Sequence, residues 1–194
     1  MMNKLIKQQI MDSIGVKQEI LADDKYIDLI QNISRVIINT YKNNGKVLIC
    51  GNGGSAADSQ HIAAEFVSKF KLDRKPISAI ALTVNTSILT AVSNDYSYDN
   101  VFKRQVEAFG KKGDVLIGIS TSGNSRNISL ALEKATELGM ISVALLGCDG
   151  GENKNFADLS IIVPSNDTPR IQESHIMIGH IVCDIVEKEL FGKK

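Results

Sequence analysis

His61 and Glu65 stand four residues apart in the run VLICGNGGSAADSQHIAAE, residues 47–65. On a helix that spacing puts both side chains on one face, with Cβ atoms roughly 5–6 Å apart. An imidazole and a carboxylate so placed suit proton transfer or a shared metal ion. Just ahead of them, Gly51-Asn52-Gly53-Gly54-Ser55 follows the apolar run Val47–Cys50. A glycine-rich turn between a strand and a helix leaves backbone N–H groups without acceptors at the helix N-terminus, a natural seat for phosphate. The segment therefore predicts an anion site with acid–base or metal chemistry about three helical turns away.

A second loop has the same character. After the apolar run Val115–Ile119 come Ser120-Thr121-Ser122-Gly123-Asn124-Ser125, four hydroxyls in six residues around one glycine. Such a loop can donate several hydrogen bonds to a phosphate without any arginine. A plain polar turn with Ser125 as helix N-cap is the competing reading of the loop taken alone. Asn94-Asp95 reads from spacing as a cap or turn with ligand potential, and Tyr96 and Tyr98 beside it as cover for apolar surface. Near the C-terminus Thr168-Pro169 starts a helix that carries Gln172, His175 and His180. Gln172 and His180 are eight residues apart, so they lie on one flank but about 12 Å apart along the axis. His175 points largely away from His180. His180 gains a chemical role only where its helix packs against the His61/Glu65 face.

The elements that must hold these residues follow from the rhythm of the chain. Leu5, Ile6, Ile10 and Ile14 recur at helical spacing ahead of Gly15. A second helix is predicted from Asp23-Asp24 to Asn43-Asn44-Gly45, with Ile27, Ile30, Ile37, Ile38 and Tyr41 on its apolar face. From Lys46 onward short β-rich runs alternate with helical stretches. The runs are Val47–Cys50, Ser78–Leu82, Val115–Ile119, Ser142–Leu146 and Leu159–Val163. Helices are predicted near 56–70, 86–93, 99–109, 126–138, 151–156 and 169–191. This pattern is that of an α/β fold, a doubly wound five-stranded parallel sheet with two added N-terminal helices. One domain spanning 1–194 is expected, with a helical layer over 1–45 and an α/β core over 46–194. In such folds ligands sit at the carboxyl ends of the strands, where both loops fall.

Composition narrows the function classes. The chain has 194 residues, with 22 basic and 22 acidic side chains. A balanced charge without a recognition motif argues against nucleic-acid binding. No run approaches the roughly 18 apolar residues of a membrane span, and Lys, Gln and Asp interrupt the N-terminal segment where a signal peptide needs an apolar core. Cys50, Cys148 and Cys183 are isolated in apolar segments, which suits packing in a reducing cytoplasm.

The motifs GNGGSAADSQHIAAE, ISTSGNS, CDGG at 148–151 and RIQESH at 170–175 together resemble the sugar isomerase (SIS) superfamily, and within it the phosphoheptose isomerases. The resemblance covers nearly the whole chain. It implies a SIS, flavodoxin-like fold and a homotetramer whose active sites are shared between subunits. The implied activity is conversion of sedoheptulose 7-phosphate to D-glycero-D-manno-heptose 7-phosphate through an enediol, for bacterial lipopolysaccharide or capsule. Ser55, Ser120, Thr121, Ser122 and Ser125 would hold the phosphate, and Asn52, Gly53, Gly54, Glu65, Asn94, Asp95 and Gln172 would contact the substrate. Glu65 and His180 would be the catalytic pair, and His61, Glu65, Gln172 and His180 match the family's zinc ligands. Lys69 stands where many relatives have arginine, and Pro169 where some have an acidic residue; both bear on substrate preference. The alternative is a non-catalytic SIS-domain sensor of sugar phosphates or a partner of a replication initiator, which should lack the Glu65/His180 combination.

Overall fold

The computed structural model describes residues 1–192. Its centre is a five-stranded parallel sheet: β1 (Val47–Gly51), β2 (Ala79–Ala81), β3 (Val115–Ser120), β4 (Ile141–Leu146) and β5 (Leu159–Ile162). The strand order is β2-β1-β3-β4-β5, with every pairing parallel. The winding direction reverses between β1 and β3, which places the ligand crevice at their carboxyl ends. All five predicted strands are present, each within one or two residues of its expected bounds.

Seven α-helices surround the sheet among the described residues: α1 (Met2–Ala22), α2 (Asp24–Lys42), α3 (Gly54–Val67), α4 (Thr86–Asp95), α5 (Val101–Phe109), α6 (Arg126–Glu137) and α7 (Thr168–Phe191). Side chains of a strand alternate between faces, and the core divides accordingly. Val47, Ile49, Ile117, Ile119, Val143 and Leu145 face α2, α3 and α7, where Ile33, Phe66 and Ile178 complete one apolar layer. Leu48, Cys50, Leu116, Ala144 and Leu146 face the other layer, filled by Val106 of α5 and by Ile128 and Leu132 of α6. Strands buried on both faces carry no polar alternation, hence their continuous apolar runs. Gly118 lets α6 approach, since a Cβ there would lie 2.9 Å from Ile128 Cγ2.

The two N-terminal helices play different parts. α2 starts where expected, with the Asp23 carboxylate accepting the Lys25 N–H, and stops at Asn43 and left-handed Asn44. It covers the sheet with Ile30, Ile33, Ile37 and Ile38, while Ile27 lies outside the core at 45% exposure. α1 runs straight through Gly15, whose missing side chain faces open space, so that glycine stops nothing. Its expected apolar stripe is not core: Leu5, Ile6, Ile10 and Ile14 are about half exposed or more, and only Val16 and Ile20 of the helix are buried. Two further expectations change. The stretch read as a helix near 151–156 is only a 3-10 turn over Asn153–Phe156, and Tyr98–Asn100 forms another turn ahead of α5. Cys50 and Cys183 are buried, Cys148 is half-buried, and none is paired among the described residues.

Candidate active site

The glycine turn after β1 is built for close approach. A Cβ on Gly51 would lie 2.5 Å from the Ser55 carbonyl oxygen, and Gly53 takes a φ of 55° that disfavours larger residues. α3 then starts at Gly54. The first backbone donors after the turn to find acceptors are Ala56 and Ala57, both bonding to the Gly53 carbonyl. The N–H groups of Gly54 and Ser55 therefore remain available at the helix N-terminus, as the glycine-rich turn predicts. Ser55 is buried beneath them.

The second loop, from Ser120 at the end of β3 to Arg126 at the start of α6, lies beside the first because β1 and β3 are neighbours. Gly51 pairs with Ile119 in the ladder. The hydroxyls of Ser120 and Ser125 are 3.0 Å apart, so Ser125 occupies the N-cap position of α6 without capping it through its side chain. Ser120 is buried, Thr121 half-buried and Ser122 exposed. Asn127, which the sequence did not single out, and Tyr98, for which it suggested another part, tie the first loop down through Asn52. The amides of Asn52 and Asn127 exchange hydrogen bonds of 2.9 Å each way. The Tyr98 hydroxyl donates to the same Asn52 oxygen at 3.0 Å. Asn52 thus has its oxygen occupied and keeps one N–H to offer. Tyr98 and Tyr96 do not cover apolar surface as expected. Both rings are largely exposed, and Tyr96 carries the Arg104 guanidinium 4.2 Å from its centroid.

A third segment, Gly147–Asn153, supports the serine loop from behind. Asn153 donates its N–H to the Gly123 carbonyl at 2.8 Å and its amide to Ser129 Oγ at 2.7 Å and the Ser125 carbonyl at 3.2 Å. Gly123, Gly150 and Gly151 all have positive φ, and a Cβ on Gly123 would run into the Gly150 backbone. Asn94 and Asp95 end α4 in an exposed position. The Asn94 amide donates to Asp95 at 2.9 Å, and no hydrogen bond ties either residue to the loops.

The acid–base cluster lies farther down α3. α3 and α7 run side by side in parallel: Gln172 packs on Gly54, Ile62 fills the space beside Gly179, and His61 meets His180. That register answers the condition set for His180. His61 Nε2 is 2.9 Å from His180 Nε2 and 3.3 Å from Glu65 Oε1. One donor atom each of His61, Glu65 and His180 lies within 4.8 Å of the others. Ligand atoms about 2.0 Å from a tetrahedral zinc ion stand roughly 3.3 Å apart, so this set fits zinc with a position left open. The structure does not bring Gln172 into the cluster. Against Gly54 it sits seven residues, about 10 Å, up the helix from His61. The Phe70 ring lies over His180 at 5.7 Å. Half-buried Asp58, one turn before His61, has one carboxylate oxygen without a partner. Burial raises its pKa, partly offset by His61 and His180. His175 faces elsewhere, as expected: it is fully buried and its Nε2 is 2.9 Å from the Leu146 carbonyl. Burial holds its pKa down, at about 4.

Sheet order, paired strand-end loops and the family comparison agree on the class: residues 16–147 match the SIS domain family. Among sequence relatives, a phosphoheptose isomerase from Clostridium acetobutylicum is 68% identical, covering 100% of this chain and 98% of its own length. Phosphoheptose isomerase 2 of Campylobacter jejuni is 59% identical over 99% of this chain and 96% of its own. The solved phosphoheptose isomerase of Neisseria gonorrhoeae superposes with a TM-score of 0.91 at 41% identity, covering 97% of this chain and 100% of that one. The chain belongs to the phosphoheptose isomerase family of SIS-domain proteins. It is an isomerase, and the non-catalytic alternative falls away.

Proposed function

We propose that the chain interconverts sedoheptulose 7-phosphate and D-glycero-D-manno-heptose 7-phosphate, in bacterial heptose synthesis for lipopolysaccharide or capsule. The observation that carries this reading is the His61–Glu65–His180 cluster, formed where α7 brings His180 to the helix whose N-terminus forms the phosphate loop. The N–H groups of Gly54 and Ser55, with the hydroxyls of Ser55, Ser120, Thr121, Ser122 and Ser125, hold the phosphate. Asn52, Gly53, Gln172, Asn94 and Asp95 contact the sugar. Binding of the phosphate end orients the reacting carbons. Glu65 takes the proton from C1 of the open-chain ketose and returns it to C2, through an enediol. His180 moves protons at the two oxygens, since imidazole donates and accepts near neutral pH. His61, Glu65 and His180 would hold zinc; bound zinc supplies a Lewis acid for a developing oxyanion. The three unpaired cysteines suit a cytoplasmic location.

The active sites are shared between subunits of a homotetramer. Ser55 and Glu65 are ten residues apart on α3, about 15 Å along the axis. An extended seven-carbon phosphate spans only about 10 Å at C–C bond lengths of ~1.5 Å. The phosphate loops of one chain therefore serve the cluster of another. The experiment is turnover of sedoheptulose 7-phosphate by purified protein, with metal analysis. Glu65→Gln and His180→Ala should each lose about 10²-fold or more in kcat. Full turnover in Glu65→Gln removes the proposed base. An active preparation free of metal removes zinc.

A further inference from the structure

The turn of chain that leaves α3 is folded around one buried ion pair. Arg74 and Glu187 have side chains only 2% exposed each, with Arg74 Nε donating to Glu187 Oε1 at 3.0 Å. The guanidinium also closes the end of α3, whose last carbonyls lack helical partners. Its Nη2 donates to the Glu65 carbonyl at 2.8 Å, and its Nη1 to the Phe66 carbonyl at 2.7 Å. Glu187, two turns beyond His180 on α7, accepts the N–H groups of Phe70, Lys71 and Leu72 at 2.9, 2.7 and 2.9 Å. Burial pushes the Glu187 carboxyl up, but these donors and Arg74 outweigh it and hold its pKa below the usual carboxylate range. The Phe70 ring centroid then lies 5.7 Å from that of His180, tilted by 32°, and 5.1 Å from the Lys71 ammonium.

We propose that the Arg74–Glu187 pair, acting through the Glu65 backbone and the Phe70 ring, is the positioning device for Glu65 and His180. Neither charged group reaches the cluster itself. Arg74 fixes the helical turn from which the Glu65 carboxylate projects. Glu187 fixes the loop that presses an aromatic face on His180 and restricts its ring. A buried ion pair is a poor source of stability by comparison with apolar packing, but it sets geometry well where both charges are fully hydrogen-bonded. The role rests on the catalytic reading of Glu65 and His180.

The test compares Glu187→Gln, Phe70→Leu and Asp114→Asn in kcat, KM and melting temperature with sedoheptulose 7-phosphate. Phe70→Leu keeps the backbone N–H that Glu187 holds, so the fold survives while the ring face on His180 is lost. Asp114 is an equally buried carboxylate before β3, accepting the Lys46 and Lys111 N–H groups and the Lys46 ammonium. It controls for loss of stability alone. Glu187→Gln and Phe70→Leu should each lower kcat by about tenfold or more with KM within about twofold, because small misplacements of reacting groups are costly. Asp114→Asn should lower the melting temperature and leave kcat unchanged. Wild-type kcat in Phe70→Leu, or in folded Glu187→Gln, overturns the positioning role. An inactive wild type overturns the catalytic reading beneath it.

Discussion

His175 shows how a residue near the site is kept out of its chemistry. Its ring is enclosed between α7 and the end of β4, with Nε2 at the Leu146 carbonyl and Nδ1 without a partner. The folded pKa of about 4 lies below the unfolded value of 6.5, so the unfolded chain binds the extra proton between these values. Stability from this group is complete above about pH 6.5 and is lost as pH falls toward 4. Linkage gives a loss of about 2 kcal/mol between pH 7 and pH 5. His175→Gln, which can still donate to Leu146, should flatten that part of the melting-temperature profile; an unchanged slope assigns it to other groups. At this scale the sequence exposed only residues with a local partner. The His61/Glu65 spacing pointed to one helix face, and the structure puts the two 3.3 Å apart. Asn127, Tyr98, Arg74 and Glu187 gave no such signal, because amides, tyrosines and single charges are common and their partners lie far along the chain.

The serine loop and the Gly147–Asn153 segment act as one element. Their interlock depends on three glycines with φ of 68°, 84° and 50° at positions 123, 150 and 151. Gly123→Ala forces a left-handed alanine against the Gly150 backbone. The backbone term alone costs about 1–2 kcal/mol. Melting should fall by roughly 4 °C or more. Titration with inorganic phosphate should weaken in the same variant, since the hydroxyl loop is displaced; unchanged phosphate affinity detaches the interlock from the loop's function. Strands were legible because burial on both faces writes a continuous apolar run. The 151–156 stretch was misread because its glycine and asparagine residues serve a backbone interlock, which periodicity does not report.

At the scale of the molecule, two observations make one chain incomplete. α1 exposes Leu5, Ile6, Ile10, Met11 and Ile14 along most of its first half. The phosphate loops and the cluster are also too far apart for one substrate. The homotetramer proposed above would account for both, with apolar stripes packed between copies. Ile10→Glu combined with Leu5→Glu should shift sedimentation from tetramer toward smaller species and lower turnover together. Retention of the wild-type species would remove α1 from the interface. The proposed sharing of sites between subunits makes a sharper prediction. Glu65→Gln and Ser120→Ala chains, each inactive alone, should recover turnover when unfolded and refolded together. Failure to recover would place each complete site within one chain.

The amino-acid order alone settles the strands, their parallel arrangement, the two loops at their carboxyl ends and the pairing of His61 with Glu65. Each of these is local, written in apolar runs, glycine turns and helical spacing. The partnership with His180 required α3 and α7 to lie parallel and in register, a contact across 119 positions of chain. The exposure of α1, the separation of Gln172 from the cluster and the Arg74–Glu187 closure likewise depend on which distant surfaces meet. Packing chooses among many surfaces of equal apolarity, and that choice is made by the whole fold at once.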